Sequence, residues 1–223
     1  MCGRYALTLP QEALVDLFRA TPDNDLPDLP RFNICPTQPV HAVTAEEGRR
    51  RLRALRWGLV PAWAKTPTDG PLLINARSET VAQKPAFREA VRHRRCLVPT
   101  SGFYEWTKDA EGNRLPWFIH AAEPLVLAGI WQDWGRGDET MTTCAVVTCA
   151  SEGPLSELHH RVPVILAPDD WALWLGEAEG KAAPLMKPPP EGLLRWHRVG
   201  REVNSNRASG PHLIEPITDD AEV

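Results

Sequence analysis

Between residues 96 and 150, five apolar, β-branched or aromatic runs follow one another almost without pause: CLVP, GFYEW, LPWFIH, PLVLAGIWQDW and TMTTCAVVTCA. Two of the gaps are turn formers, DAEGN at 109–113 and GRGDE at 135–139. Strands joined by links this short pair antiparallel, because a parallel crossover needs a dozen or more residues. The same pattern occurs earlier, in PVHAVTA, the turn EEG and RLRALRWGLV; RVPVIL at 161–166 reads as a buried strand. Helical spacing is sparse by comparison. Leu14, Leu17 and Phe18 fall at i, i+3 and i+4 in LPQEALVDLF, which predicts a helix near 10–20. KPAFREAVRHRR has Phe87 and Val91 four apart, SEGPLSEL is a short helix, and PDDWALWL opens on Pro168 and two aspartates, a favourable helix start. TPDNDLPDLP at 21–30 is loop. The regular βαβ alternation of a parallel sheet is missing, so the pattern predicts one α+β domain with a mainly antiparallel core and a short C-terminal coil.

Composition narrows the setting. The chain has 223 residues, which suits one large domain or two small ones. No apolar run approaches the ~20 residues of a membrane-spanning helix, and no charged-then-apolar leader precedes residue 20. The five cysteines are odd in number and form no C-x-x-C pair, which argues against a disulfide framework or a zinc site and for a reducing cytoplasm. Net charge is −4, against a partner held by bulk electrostatics. Yet arginines cluster in RRRLRALR and REAVRHRR, and arginine is the better fork for phosphate. These runs read equally as solvated surface or as a nucleic-acid face.

Five stretches carry chemistry: MCGRYA, FNICPTQP, LINARSET, GFYEW and LHHRVPVIL. Removal of Met1 before a small residue exposes Cys2, whose α-amine (reference pKa near ~8) and thiol (near ~8.5) are two nucleophiles within one residue. Gly3 permits close approach, and Arg4 either binds an anion or is solvated. Asn75 and Arg77 share one side of an extended segment, at an edge or at a site. Glu105, between Tyr104 and Trp106, lies either on a wet face or in an apolar pocket that raises its pKa toward neutrality. His159 and His160 are proton shuttles or satisfied structural histidines, and no second cluster with metal-ligand spacing accompanies them. Of nine tryptophans, Trp131, Trp134, Trp171 and Trp174 read as core; others, beside arginine and proline, suit stacking on single-stranded bases.

In this order the stretches closely resemble the SRAP (SOS-response-associated peptidase) family, whose members shield abasic sites in single-stranded DNA. The resemblance runs from Cys2 to about residue 207. It implies a barrel-like β core over 1–207, with 208–223 as a coil tail. It implies Cys2 as the nucleophile that cross-links to the abasic sugar, Asn75 as the group positioning the terminal amine, Glu105 as a proton-transfer carboxylate and His159 as the family histidine. Arg4, Arg77 and Arg161 match its phosphate-binding arginines and Thr148 a further backbone contact; Trp57, Trp63 and Trp106 match aromatics near DNA, and Asn33 and Pro36 of FNICPTQP join this DNA-binding set. Two positions depart from the family pattern. His160 stands where an aspartate is usual, which leaves His159 and His160 as alternatives for the active histidine, and Cys35 stands where an alanine is usual. The implied partner is single-stranded DNA with abasic sites, met by a monomer in the cytoplasm without membrane, metal or cofactor. The alternatives are a cysteine peptidase built on Cys2, His159 and Glu105, and a noncatalytic single-strand binding module.

Overall fold

The structure is a computed structural model that describes residues 2–23 and 25–217. In chain order its elements are β1 (Tyr5–Leu7), α1 (Gln11–Phe18), β2 (Thr21–Pro22), β3 (Arg31–Ile34), β4 (Pro39–Glu46), β5 (Arg49–Trp57), β6 (Asn75–Arg77), α2 (Arg88–His93), β7 (Arg95–Thr100), β8 (Gly102–Lys108), β9 (Arg114–His120), β10 (Leu125–Arg136), β11 (Glu139–Ala150), α3 (Leu155–Leu158), β12 (Arg161–Pro163), α4 (Trp171–Leu175) and β13 (Arg195–Arg198).

The expected hairpins form, and their turn chemistry shows why. Glu46 pairs with Arg49 across Glu47 and Gly48, both at positive φ, the backbone of a tight two-residue β-turn. Arg136 pairs with Glu139 across Gly137 and Asp138. In the DAEGN turn the Asp109 carboxylate accepts the Asn113 N–H at 2.7 Å.

Closure is the step the hairpins alone do not dictate. β11, β10, β7, β4 and β5 form a continuous ladder, and β5 returns to β11 in parallel, with Thr143 opposite Arg56 and Cys144 opposite Trp57. The ring removes its own edges. Along this ladder Leu52, Leu55, Trp57, Leu97 and Cys144 are buried, none more than 1% exposed. A second antiparallel sheet runs β13-β9-β8-β1-β3. The far half of β11 carries β6 on one side and β12 on the other.

Several expectations need correction. α1 buries Leu14 and Phe18, but Leu17 is 42% exposed, since it lies off the stripe facing the core. The segment TPDNDLPDLP is not all loop: Thr21–Pro22 pairs in parallel with β5. The helix of KPAFREAVRHRR is confined to Arg88–His93, with Phe87 as its N-cap. β13 was not anticipated. The expected coil from 208 onward is docked as far as it is described. Pro211–Ile214 is a 3₁₀ turn, Leu213 is 1% exposed in a small core with Ala6, Tyr104, Phe118, Val199 and Val203, and residues 218–223 lie outside the described residues.

Candidate functional site

Cys2 enters the site as the residue ahead of β1. Tyr5 pairs with Phe103 and Arg4 accepts the Tyr104 N–H at 2.9 Å, so the antiparallel register carries Cys2 and Gly3 alongside Glu105 and Trp106 of β8. β6 delivers Asn75, whose Nδ2 donates to the Cys2 carbonyl at 2.9 Å. The Asn75 Oδ1 is buried and has no partner among the described residues. As the alternation of a strand requires, Asn75 and Arg77 share the open side of β6 while Ala76 is buried. His159 caps the C-terminal end of α3, and its Nδ1 lies 3.8 Å from Glu105 Oε1. Four residues spread over 157 positions of sequence thus meet at one place, at the seam of the barrel and the second sheet.

Electrostatics sharpen the picture. Glu105 is 3% exposed, and burial raises its carboxyl above the ordinary value, so the pocket reading of GFYEW is the one the fold adopts. Burial, and next the adjacent Glu105 carboxylate, push the Cys2 thiol far up, which leaves it protonated at neutral pH. Burial lowers His159, so its ring is neutral at pH 7. His160 is exposed and stacks on His159 with ring centroids 4.5 Å apart. His159, not His160, is the histidine beside Glu105.

The residues expected to hold DNA divide sharply. Arg77 and Trp63 are exposed, Trp63 at 59%. Pro36 is half-buried. The others are occupied. Trp57 is 1% exposed, meets Tyr5 edge to face at 5.3 Å and donates to the Ile74 carbonyl. Arg4 is 7% exposed and donates to Asn33 Oδ1, Val203 O and Asn206 Oδ1 at 2.6–2.8 Å. Asn33 in turn donates to Ser205 O and Ala208 O. Trp106 donates to Asn204 Oδ1 and has the guanidinium of Arg114 at 4.6 Å from its ring centre. Thr148 is fully buried and accepts from Arg161, which is 8% exposed and forks onto Glu79. An arginine or tryptophan advertises what it can bind; the fold has already supplied partners to these. Two contributors escaped the sequence reading: Glu79, inside LINARSET, and the asparagines of VNSN at 203–206, which hold Arg4 and Trp106. The Cys35 thiol packs toward the carbonyls of Asn33 and Asn206. Among the described residues no group of three His, Cys, Asp or Glu side chains could hold a metal ion.

Residues 1–206 match the family model described as SOS response associated peptidase (SRAP). The chain belongs to the SRAP family. Among SRAP relatives, the protein named abasic site processing protein YoqW, from Bacillus subtilis, is 30% identical over 96% of this chain and 99% of its own length. Abasic site processing protein YedK of Escherichia coli is 31% identical over 97% and 100%. A crystal structure from Bacteroides thetaiotaomicron superposes with a TM-score of 0.85 at 22% identity, covering 97% of this chain and all of that one, a likeness of fold. The SRAP fold is thus the barrel with its flanking sheet and short helices described above.

Proposed function

We propose that the protein captures abasic sites in single-stranded DNA by forming a thiazolidine between Cys2, freed of Met1, and the aldehyde of the ring-opened sugar. The observation that carries this reading is the convergence on Cys2 of Asn75, which binds its carbonyl at 2.9 Å, and of the buried Glu105 with His159 at 3.8 Å. The names of the SRAP relatives supply the substrate.

The chemistry follows from the groups present. The Cys2 amine adds to the aldehyde carbon to give a carbinolamine. The unpartnered Asn75 Oδ1 is suited to orient that amine while Nδ2 holds the carbonyl of the same residue. Glu105, with its raised pKa, donates a proton to the departing hydroxyl, water leaves, and the resulting carboxylate takes the proton of the iminium nitrogen to give the imine. The thiol sulfur then adds to the imine carbon, the thiol proton passes through Glu105 to the nitrogen, and a five-membered ring closes with loss of one water overall. Ring closure within one residue exploits a high effective molarity. His159, neutral at pH 7, is the base available for sugar ring opening and for reversal.

The peptidase alternative fits these groups less well. A cysteine protease needs a thiolate, held by a histidinium or helix N-terminus that lowers the thiol pKa. Here burial and Glu105 raise it. Single-strand preference rests on access to the sugar and on Trp63, the exposed ring available for stacking. Localisation on damaged DNA in the cytoplasm, and action as a monomer, complete the reading.

The test is a denaturing gel with an abasic oligonucleotide. The wild type gives a shifted band that survives heat and detergent. Cys2→Ala gives none. Cys2→Ser, which keeps the amine and loses the sulfur, gives a band only when borohydride traps the imine. An undiminished band from Cys2→Ala refutes the assignment, and turnover of unmodified peptides by the wild type would favour the peptidase.

A further inference from the structure

Arg161, expected at a phosphate, is committed elsewhere. Its Nη1 donates to Glu79 Oε1 at 2.6 Å and its Nη2 to Glu79 Oε2 at 3.0 Å, a bidentate fork; Nη2 also reaches Thr148 O at 2.7 Å. The fork draws the Glu79 carboxyl down to about 2, although that side chain is 48% exposed. On its other side, the main chain of Arg161 brackets the His159 ring. Its N–H and its C=O each lie 3.0 Å from Nδ1. A neutral Nδ1 accepts from the N–H, and a protonated Nδ1 donates to the C=O, so the ring keeps its orientation in either state. Strand pairing alone is a weak anchor for this bracket. β12 is three residues long, lies at the end of its sheet, and Arg161 is its first residue. What holds that residue is its own side chain, folded back along β11 onto Thr148 and Glu79.

We propose that Glu79 is a positioning residue for His159, acting through Arg161. The proposal rests on the reading of the site given above. It assigns a role to Glu79, the acidic member of INARSET, whose charge is opposite to that expected at a DNA interface. The charged and titratable groups that act on the His159 ring are the amino-terminal charge, Glu105 on β8, His160 in the link from α3 and Arg161 on β12; Arg77 on β6 acts on His160, and Glu79 is linked to the ring by way of Arg161.

The experiment compares wild type, Glu79→Gln and Glu79→Ala in three measurements. Single-turnover cross-linking at saturating abasic oligonucleotide is expected to fall about 10- to 100-fold in Glu79→Ala, the scale of a misplaced catalytic group, and less in Glu79→Gln, which keeps one acceptor. Affinity for undamaged single strands of the same length is expected to hold. In ¹⁵N-histidine NMR, assigned with His159→Gln, the His159 titration is expected to move up toward the free-histidine value and its signals to broaden. An unchanged rate with an unchanged His159 titration overturns the proposal. So does tighter DNA binding with faster reaction, which would make Glu79 a carboxylate that masks Arg161 from phosphate. Should the wild type form no adduct at all, the functional reading falls, while the NMR arm still decides whether Glu79 sets the His159 ring. Should Glu79→Ala fail to fold, Glu79→Gln carries all three measurements.

Discussion

Arg4 offers the sharpest test of what the fold has done to a residue expected at DNA. Its guanidinium donates to Asn33 Oδ1 at 2.8 Å, Val203 O at 2.7 Å and Asn206 Oδ1 at 2.6 Å, and lies over Trp106 at 5.4 Å from the ring centre. It joins β1 and β3 to the 3₁₀ segment 201–204 and the residues just after it. Three hydrogen bonds from a charged donor at about 1.5 kcal/mol each give about 4.5 kcal/mol gross. The cost of withdrawing the cation from water offsets part of that, leaving about 3 kcal/mol. For a chain of this length, Arg4→Ala is therefore expected to lower the melting temperature by about 6–12 °C. Arg4→Lys is expected to recover little, because an ammonium cannot serve three acceptors of a planar fork. Exposed Arg77 should behave in the opposite way: Arg77→Ala leaves melting unchanged and flattens the salt dependence of single-strand binding by about 0.7 in log–log slope, one phosphate's worth. Differential scanning calorimetry and a salt titration of fluorescein-labelled oligonucleotide separate the two. An Arg4→Ala protein that melts like the wild type but loses about 0.7 of slope would refute the structural reading and restore Arg4 to the phosphate set.

Two buried titratable groups yield pH predictions of opposite sign. Glu105 is raised from 4.5 by burial, so the folded state binds the proton more tightly and stability falls as pH climbs through the raised value. Glu105→Gln is expected to melt higher than wild type at pH 8 and alike at pH 4, by thermal denaturation; no gain at pH 8 would mean the carboxylate is not penalised. His41 is fully buried on β4, neither ring nitrogen has a hydrogen-bond partner among the described residues, and burial lowers it to about 4 from 6.5. The unfolded chain takes the proton first, so stability is full above 6.5 and is lost as pH falls toward 4, by about 3 kcal/mol. Urea melts at pH 7 and pH 4.5 should show this loss in wild type and not in His41→Val, and equal acid sensitivity in both would exclude His41 as the cause.

The legible part of the fold was its local part. EEG, DAEGN and GRGDE are turns whose residues accept the required backbone, and each joins strands whose pairing is settled within a few residues. The return of β5 to β11 links residues nearly ninety apart in parallel, and nothing in RRRLRALRW or TMTTCAVVTCA signals that partnership. β13 and the docked Pro211–Ile214 turn were hidden for a related reason. RWHR has no apolar alternation, and one leucine, Leu213, is most of what anchors the segment after it. The site shows the same division. Cys2, Asn75, Glu105 and His159, which the fold brings together, were each ambiguous alone and were singled out through the family resemblance of their stretches. Arg4, Trp57, Thr148 and Arg161 are buried with partners inside the fold, which residue type does not reveal: type records capacity, and burial decides how much of it is already used.

The state of the Cys2 thiol bears on the order of the proposed chemistry. A protonated, 1% exposed sulfur is a poor first nucleophile, whereas the amine needs only an open aldehyde beside it. Once the imine forms and Glu105 protonates its nitrogen, the iminium carbon is more electrophilic than the aldehyde, and its positive charge sits where the thiol must lose a proton. That charge acts opposite to the two effects that hold the thiol protonated, burial and the Glu105 carboxylate. In the proposed reaction the sulfur is thus held protonated until the imine is available, which makes imine formation the gate. The consequence is measurable within the Cys2→Ser comparison: the borohydride-trapped rate of the serine variant should match the wild-type rate of adduct formation, since both report the amine step. A serine variant trapped much more slowly than wild type would place the sulfur in the first step and reverse the order.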